Sequence, residues 1–144
     1  MNDLEFRAWL EREKKMVSVR EINFAGEQIS FETDDSILFA SFDEIKLMQW
    51  IGLRDNTRTE EFPEGKEIFE GDIVQIKDDW DTYGMNAGEI YEVYFNAGGF
   101  RLKPKYDVYK RGARGFWLDD GNDVTVLGNV YENPELLEKI QWLV

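Results

Sequence analysis

Apolar and polar positions alternate with a period of two along much of this chain, and turn-forming residues interrupt the alternation every few positions. Leu4-Glu5-Phe6-Arg7-Ala8-Trp9 reads as a half-buried strand with Leu4, Phe6 and Ala8 on one face and a turn beginning at Trp9. The charged run 11–15 has no apolar stripe and predicts an exposed connection into a second strand over 16–20, so the two strands form a hairpin. Residues 21–24, 28–32 and 36–40 are further short strands, separated by Ala25-Gly26 and Asp34-Asp35 at hairpin spacing. The opening half is therefore expected to be a small antiparallel meander.

Ser41-Phe42-Asp43-Glu44 satisfies a capping box, yet Ile45 and Leu47 alternate as in a strand, and a turn followed by a strand reconciles the two. Leu47-Met48-Gln49-Trp50-Ile51-Gly52-Leu53-Arg54-Asp55 then leads through a polar connector to Gly65-Lys66-Glu67-Ile68-Phe69-Glu70-Gly71-Asp72-Ile73-Val74. Two apolar runs around such a connector read as a domain junction, with Glu70-Gly71-Asp72 a tight turn delivering Ile73, Val74 and Ile76 into a new strand. Strand candidates follow at 72–77, 88–95, 100–103, 115–118 and 124–130, a number that suits a small SH3-like barrel. Asn133-Pro134 ahead of Glu135-Leu136-Leu137 places a cap before Pro at the first helical position, so one short C-terminal helix closes the chain, with Leu136, Leu137 and Ile140 sealing a core edge. The expected fold is mostly β, with a meander subdomain over 1–64 and an SH3-like β-barrel over 65–144.

Composition adjusts this picture in two ways. At 144 residues with 42% hydrophobic and 15% aromatic residues, a packed core is expected despite a formal charge of −13. The chain has no Cys and no His, which removes thiolate nucleophiles, disulfides, serine triads and most zinc sites. An enzyme is accordingly not expected, nor is a cofactor. No stretch approaches the roughly 20 apolar residues needed to cross a bilayer, and the opening residues lack a signal-like pattern, which together predict an intracellular, cytoplasmic protein.

Charge is unevenly placed. Arg101, Lys103, Lys105, Lys110, Arg111 and Arg114 face only Asp107 between residues 101 and 114, a local charge of +5, so the rest of the chain carries −18. Tyr106 and Tyr109 interleave with these cations, and Phe100 and Phe116 border them, a composition that suits stacking on bases, docking on an acidic partner, or simple solvation. The most concentrated opposite charge available to this segment is another copy of the same chain, so head-to-tail assembly is one expectation. Trp80, set among Asp78, Asp79 and Asp81, is hard to bury and is a second candidate partner contact, whereas Trp50, Trp117 and Trp142 are expected in the core.

Two acidic loops remain. Asp79, Asp81 and Gly84 match positions one, three and six of a calcium loop, but Tyr83 and Ile90 occupy positions that need oxygen ligands. Asp119-Asp120-Gly121-Asn122-Asp123 contains Asp-Gly and reads as a hairpin turn. If both loops met at one end of a barrel, Asp78, Asp79, Asp81, Asp119, Asp120 and Asp123 could hold a hard cation, and a metal-dependent enzyme would then be a third-ranked reading.

Three ordered stretches carry a family resemblance. Residues 47–55 with 65–74, Phe6-Arg7-Ala8-Trp9 followed by Lys14-Lys15-Met16, and Leu127-Gly128-Asn129-Val130-Tyr131-Glu132-Asn133-Pro134-Glu135-Leu136-Leu137 resemble the YopX family of phage and prophage proteins. Ile51 stands where that family usually has Thr, Leu10 replaces an acidic residue, and 57–64 looks like an insertion. The resemblance implies a phage or prophage accessory protein with a β-rich fold, and supplies no activity to carry over. The combined expectation is a non-catalytic protein acting through protein contacts, as a homo-oligomer and with a host protein as another partner. The alternative is nucleic-acid engagement, through the basic segment or as an acidic DNA mimic aimed at a host protein.

Overall fold

The computed structural model describes residues 4–79, 86–96, 98–103 and 116–137. The chain divides into two compact units, Met1–Trp50 and Ile51–Val144. The first holds β1 (Phe6–Leu10), β2 (Lys15–Ser18), β3 (Glu21–Asn23), β4 (Gln28–Glu32), β5 (Ile37–Ser41) and the start of β6 (Ile45–Arg54). β1 lies between β2 and β6, antiparallel to both, while β4 lies between β3 and β5. Ala8, Leu10, Ile29, Phe31 and Ile45 are the buried core of this unit. The first strand runs further than its alternation suggested, because Leu10 continues the buried face begun by Ala8 and the turn is postponed to Glu11. Lys14 takes a positive φ of 54° there, and its N–H returns to the Leu10 carbonyl at 2.8 Å. Leu4, expected on the buried face, lies outside the strand and is 65% exposed.

The Ser41 turn forms as expected. Its hydroxyl accepts from the Asp43 N–H at 3.3 Å and opens one turn of 3-10 helix, Phe42–Glu44, directly before β6.

The second unit contains β7 (Glu67–Phe69), β8 (Asp72–Ile76), β9 (Ile90–Asn96), β10 (Gly99–Lys103), β11 (Phe116–Trp117) and β12 (Val124–Asn129). β8 to β12 make one antiparallel sheet in the order β11-β10-β9-β8-β12. Its core face is Val74, Ile76, Tyr91, Val93, Leu102 and Val124, joined by Ile68 and Leu118. Each such side chain contributes about 1.5–3 kcal/mol when fully buried. All five strand candidates after residue 70 are present, and among the described residues no pair joins β11 to β12, so the sheet is a half-barrel there. The Asp119 to Asp123 loop is not the hairpin turn its Asp-Gly pair suggested. β11 pairs with β10 and β12 with β8, so the loop is a crossover, and Gly121–Asp123 forms a 3-10 turn capped by the Asp120 carboxylate on the Asn122 N–H at 2.9 Å.

Helix begins at Glu135, after Leu136 N–H bonds to Asn133 and Leu137 N–H to Pro134. Leu136 and Leu137 are half-buried, and Ile140 lies outside the described residues. No helix among the described residues is long and apolar enough to cross a membrane.

Candidate interaction surfaces

The motif residues at the end of β6 gather around a carboxylate. Asp55 is 0% exposed, and its two oxygens accept four hydrogen bonds: Thr57 N–H at 2.9 Å, Lys66 N–H at 2.8 Å, Val126 N–H at 2.8 Å and the Thr57 hydroxyl at 3.0 Å. Burial pushes its pKa up, but the bonds from Val126, Lys66 and Thr57 together outweigh burial and hold the group below its ordinary value. The Asp55 main chain is equally committed, with its N–H on the Lys66 carbonyl and its carbonyl taking Arg58 Nη1. Gly65, at φ 97°, is the residue that permits this, since a Cβ there would run into the Asp55 carbonyl. Arg58 also reaches Asn122 Oδ1 at 2.8 Å, so the apparent insertion at 57–64 begins with two residues that fasten it to the rest of the unit.

The other motif stretches are turns built the same way. Asp72, 1% exposed, accepts the Phe69 N–H at 2.7 Å across the Glu70-Gly71 turn. Asn129 Oδ1 accepts from Tyr131 and Glu132, its amide donates to Glu132, and Asn133 Oδ1 accepts the Asn129 N–H. A Cβ on Gly128 would strike that Asn133 side chain. The Val130 N–H then bonds to the Gly71 carbonyl at 2.9 Å, tying the last motif to the middle one. None of these groups is presented to a ligand; they specify chain reversals.

The basic segment is described only at its start. Arg101, a candidate contact residue, is 7% exposed, and its guanidinium stacks over the Trp117 ring at 3.8 Å, so it is engaged in packing across β10 and β11. Trp117, expected in the core, is 52% exposed and lies over Gly99, the one residue small enough to sit beneath it. Lys103 is exposed and pairs in register with Glu92, whose pKa burial raises and Lys103 partly lowers. Lys105, Tyr106, Tyr109, Lys110, Arg111 and Arg114 lie outside the described residues, as do Trp80 and Trp142.

The two acidic loops do approach each other. Burial, then Asp120, Asp119 and Asp78, raises the Asp123 pKa, against the lowering effect of Lys77, and the Lys77 N–H bonds to the Asp123 carbonyl at 2.9 Å. Among the described residues, however, no three acidic groups gather as metal ligands, and Asp79 is taken up by the Ala87 N–H at 2.7 Å. The calcium-loop positions Asp81 and Gly84 lie outside the described residues.

An apolar surface that sequence reading missed lies on β5. Ile37, Leu38 and Phe39 are 42%, 46% and 62% exposed on three successive positions, and Phe24 in the neighbouring β3–β4 turn is 75% exposed. The available signal was Ile37-Leu38-Phe39-Ala40 itself, an unbroken apolar run between acidic pairs where a half-buried strand would alternate. An open groove of about 470 Å³ also runs beside β2, lined by residues including Lys15, Val17, Arg20, Phe31 and Glu32.

Comparison with known proteins places these turns in a lineage. The profile of the family described as YopX protein matches residues 5–138. The SPbeta prophage-derived uncharacterized protein YopX of Bacillus subtilis (strain 168) is 33% identical over 82 residues, 54% of either chain, so the match spans about half the length of that curated relative. Protein EF1440 from Enterococcus faecalis superimposes with a TM-score of 0.55 at 25% identity, over 93% of this chain and 97% of that one. The crystal structure of yopX from Bacillus subtilis gives a TM-score of 0.57 at 21% identity, over 94% and 98%, a likeness of fold.

Proposed function

The chain belongs to the YopX family, and from that premise we propose that it is a phage or prophage accessory protein that works without catalysis, by contacting other protein chains and foremost copies of itself. The observation that carries the reading is apolar side chain left open on regular strands, with Ile37, Leu38 and Phe39 on β5 and Phe95 and Trp117 in the second unit. Three such side chains on one five-residue strand leave apolar area on both faces of β5 for a partner chain to cover, and an isolated molecule gains nothing by wetting it. Chemistry has less support. The chain lacks His and Cys, and among the described residues the displaced carboxylates are a fully bonded Asp55, a Glu92 beside Lys103, and an Asp123 in a turn. None of the three lines the groove beside β2. We read the five-stranded sheet as the frame of an SH3-like barrel on its strand number and connections, and the bacterial cytoplasm as the place of action.

Light scattering on the purified full chain, at low and high salt and over a range of concentrations, tests the proposal. The expected result is a mass above one protomer that falls as salt rises, because a +5 segment in a −13 chain contributes to the contact. A single-protomer mass under every condition overturns self-association, and co-purifying nucleic acid released by salt would transfer the basic segment to the alternative role.

A further inference from the structure

β5 is hydrogen-bonded to β4 in unbroken register from Gln28↔Ser41 to Glu32↔Ile37, and it stands at the margin of the order β3-β4-β5. The groups on its open side follow from the ends of the ladder, where the Thr33 N–H bonds to the Ser36 carbonyl at 2.8 Å and the Phe42 N–H to the Glu27 carbonyl at 2.9 Å. An antiparallel ladder uses alternate residues, so Leu38 and Ala40 turn their main-chain groups to β4 while Ile37, Phe39 and Ser41 turn theirs outward. Among the described residues no strand takes these up. Natural edges are blunted by Lys, Pro or a bulge, and Ile37-Leu38-Phe39-Ala40-Ser41 has none of them. Apolar area borders the open side on both faces: Leu38 shares a face with buried Phe31, its partner across the ladder, while Ile37 and Phe39 lie on the other.

Charge selects the occupant. Asp34 and Asp35 precede β5 and Asp43 and Glu44 follow it, all four are exposed, and no cation stands between Asp34 and Glu44. A second β5 is a poor match. Paired antiparallel about Phe39, over the whole strand, it would bring Asp34 and Asp35 of each copy against Asp43 and Glu44 of the other, and like charges opposed across a strand pair destabilise it. β2 is a marginal strand with cations at both ends, Lys14 and Lys15 at one and Arg20 past the other. Arg20 is already committed, however, its N–H to the Ser30 carbonyl at 2.8 Å and its guanidinium to Glu21 and Glu32, and Glu11 and Glu13 stand beside the two lysines. The edge instead fits an extended segment of a different protein, with Lys or Arg on either side of a β-branched stretch.

We infer that β5 is the acceptor edge for a basic-flanked extended segment of a partner protein, which adds to the sheet as a further strand between the acidic pairs. Main-chain bonds to Ile37, Phe39 and Ser41 give such a contact its affinity, alternate side chains cover Ile37 and Phe39 on one face and Leu38 on the other, and the acids reject segments without terminal cations. This use of β5 shares with the proposed function only the premise that the chain works by protein contact, and it does not require self-association.

Fluorescence anisotropy of a labelled probe peptide, Lys-Lys-Val-Thr-Val-Thr-Val-Lys-Lys, titrated with the full chain tests the assignment. Saturable binding is expected, at least about tenfold tighter than for the same peptide with Glu in place of each Lys. N-methylation through the Val-Thr-Val-Thr-Val middle keeps the charge but removes the main-chain donors, and should abolish saturable binding. In the chain, Phe39→Pro deletes an outward N–H that β4 does not use, so it should weaken binding at least about tenfold and leave the ladder in place, as circular dichroism and a thermal melt will check. Asp35→Lys/Asp43→Lys, both at exposed positions, should transfer the preference to the Glu peptide, and it decides the matter if Phe39→Pro fails to fold. No saturable binding by the native chain, equal binding of the Lys and Glu peptides, or undiminished binding of the N-methylated peptide each overturns the proposal. If light scattering finds the native chain assembled and the Lys peptide disperses it, a second copy fills the edge, and the different partner is overturned while self-association stands. A chain that is one protomer throughout and binds the Lys peptide with these preferences supports the edge assignment and overturns self-association alone.

Discussion

Replacing Asp55 with alanine should be among the most destabilising single changes available to the second unit. The carboxylate takes four hydrogen bonds of 2.8–3.0 Å, three of them from main-chain N–H groups on the loop after β6, just before β7 and on β12. A buried donor stripped of its acceptor costs about 1–3 kcal/mol, and three are stripped together. Their segments are partly wetted, so water recovers a share, and the net loss should be about 3–5 kcal/mol, the range for breaking a buried polar network at one partner. With a urea slope of about 1–3 kcal/mol per molar, the unfolding midpoint falls by roughly 1–5 M.

Urea titration followed by tryptophan fluorescence and circular dichroism would read this, with the two units fitted as separate transitions if their probes diverge. Asp55→Asn should fall between the alanine variant and the native chain, because it keeps one acceptor oxygen but turns an amide NH₂ toward groups that also donate. The pH arm has a definite sign. Asp55 has a folded pKa below its unfolded value, so its contribution is present above pH about 4 and is lost as pH falls through the lower folded value. The gap between native and Asp55→Asn should therefore narrow in that acidic window. An alanine variant within about 1 kcal/mol of native would refute the view that this carboxylate holds those three segments together.

Gly99→Ala places a methyl group into the Trp117 ring, which must leave its seat over Arg101; a loss of about 1–3 kcal/mol and a shifted tryptophan emission are expected, and unchanged emission would count against the stack. Glu92→Gln should raise stability at pH 7. The raised folded pKa means ionisation opposes folding, so the Glu92 contribution is best below the unfolded pKa and is lost as pH rises through the folded one; the advantage of Gln should vanish in acid, and an advantage that grows in acid would contradict the assignment.

The strands were legible because each carries its own alternation or apolar run, and what pairs with what was less so because pairing is not local. Asp119-Asp120-Gly121 has the chemistry of a hairpin turn, yet β11 returns to β10 while β12 crosses to β8, and no feature within five residues distinguishes those outcomes. Asp55 was legible as the end of the motif run 47–55, but not as a buried carboxylate. Its burial depends on Lys66 and Val126, 11 and 71 positions away, and on Gly65 being small and at positive φ. Trp117 was assigned to the core on size, but Gly99, two positions before its β10 partner Arg101, gives the ring a shelf instead and leaves it half exposed. The basic segment read from charge alone turned out to begin with an arginine occupied by packing.

These misreadings share a cause that bears on function. The stretches most recognisable in the sequence, around Asp55, Gly65, Asp72 and Asn129, are recognisable because turns with closely packed backbone tolerate few residue types, and each proves to be occupied in holding chain reversals together. A signature of that kind can persist while the surfaces that choose partners change, since those surfaces need only apolar area and appropriate charge. On the reading proposed above β5 is such a surface: Ile37, Leu38 and Phe39 are exposed on a strand held by its ladder to β4 and by Ala40 against the core, and the acids beyond its ends are exposed. Substituting that strand's outward residues should thus alter assembly while leaving stability nearly unchanged, and substituting Asp55 should do the reverse, which separates the part of this chain that makes the fold from the part that would use it.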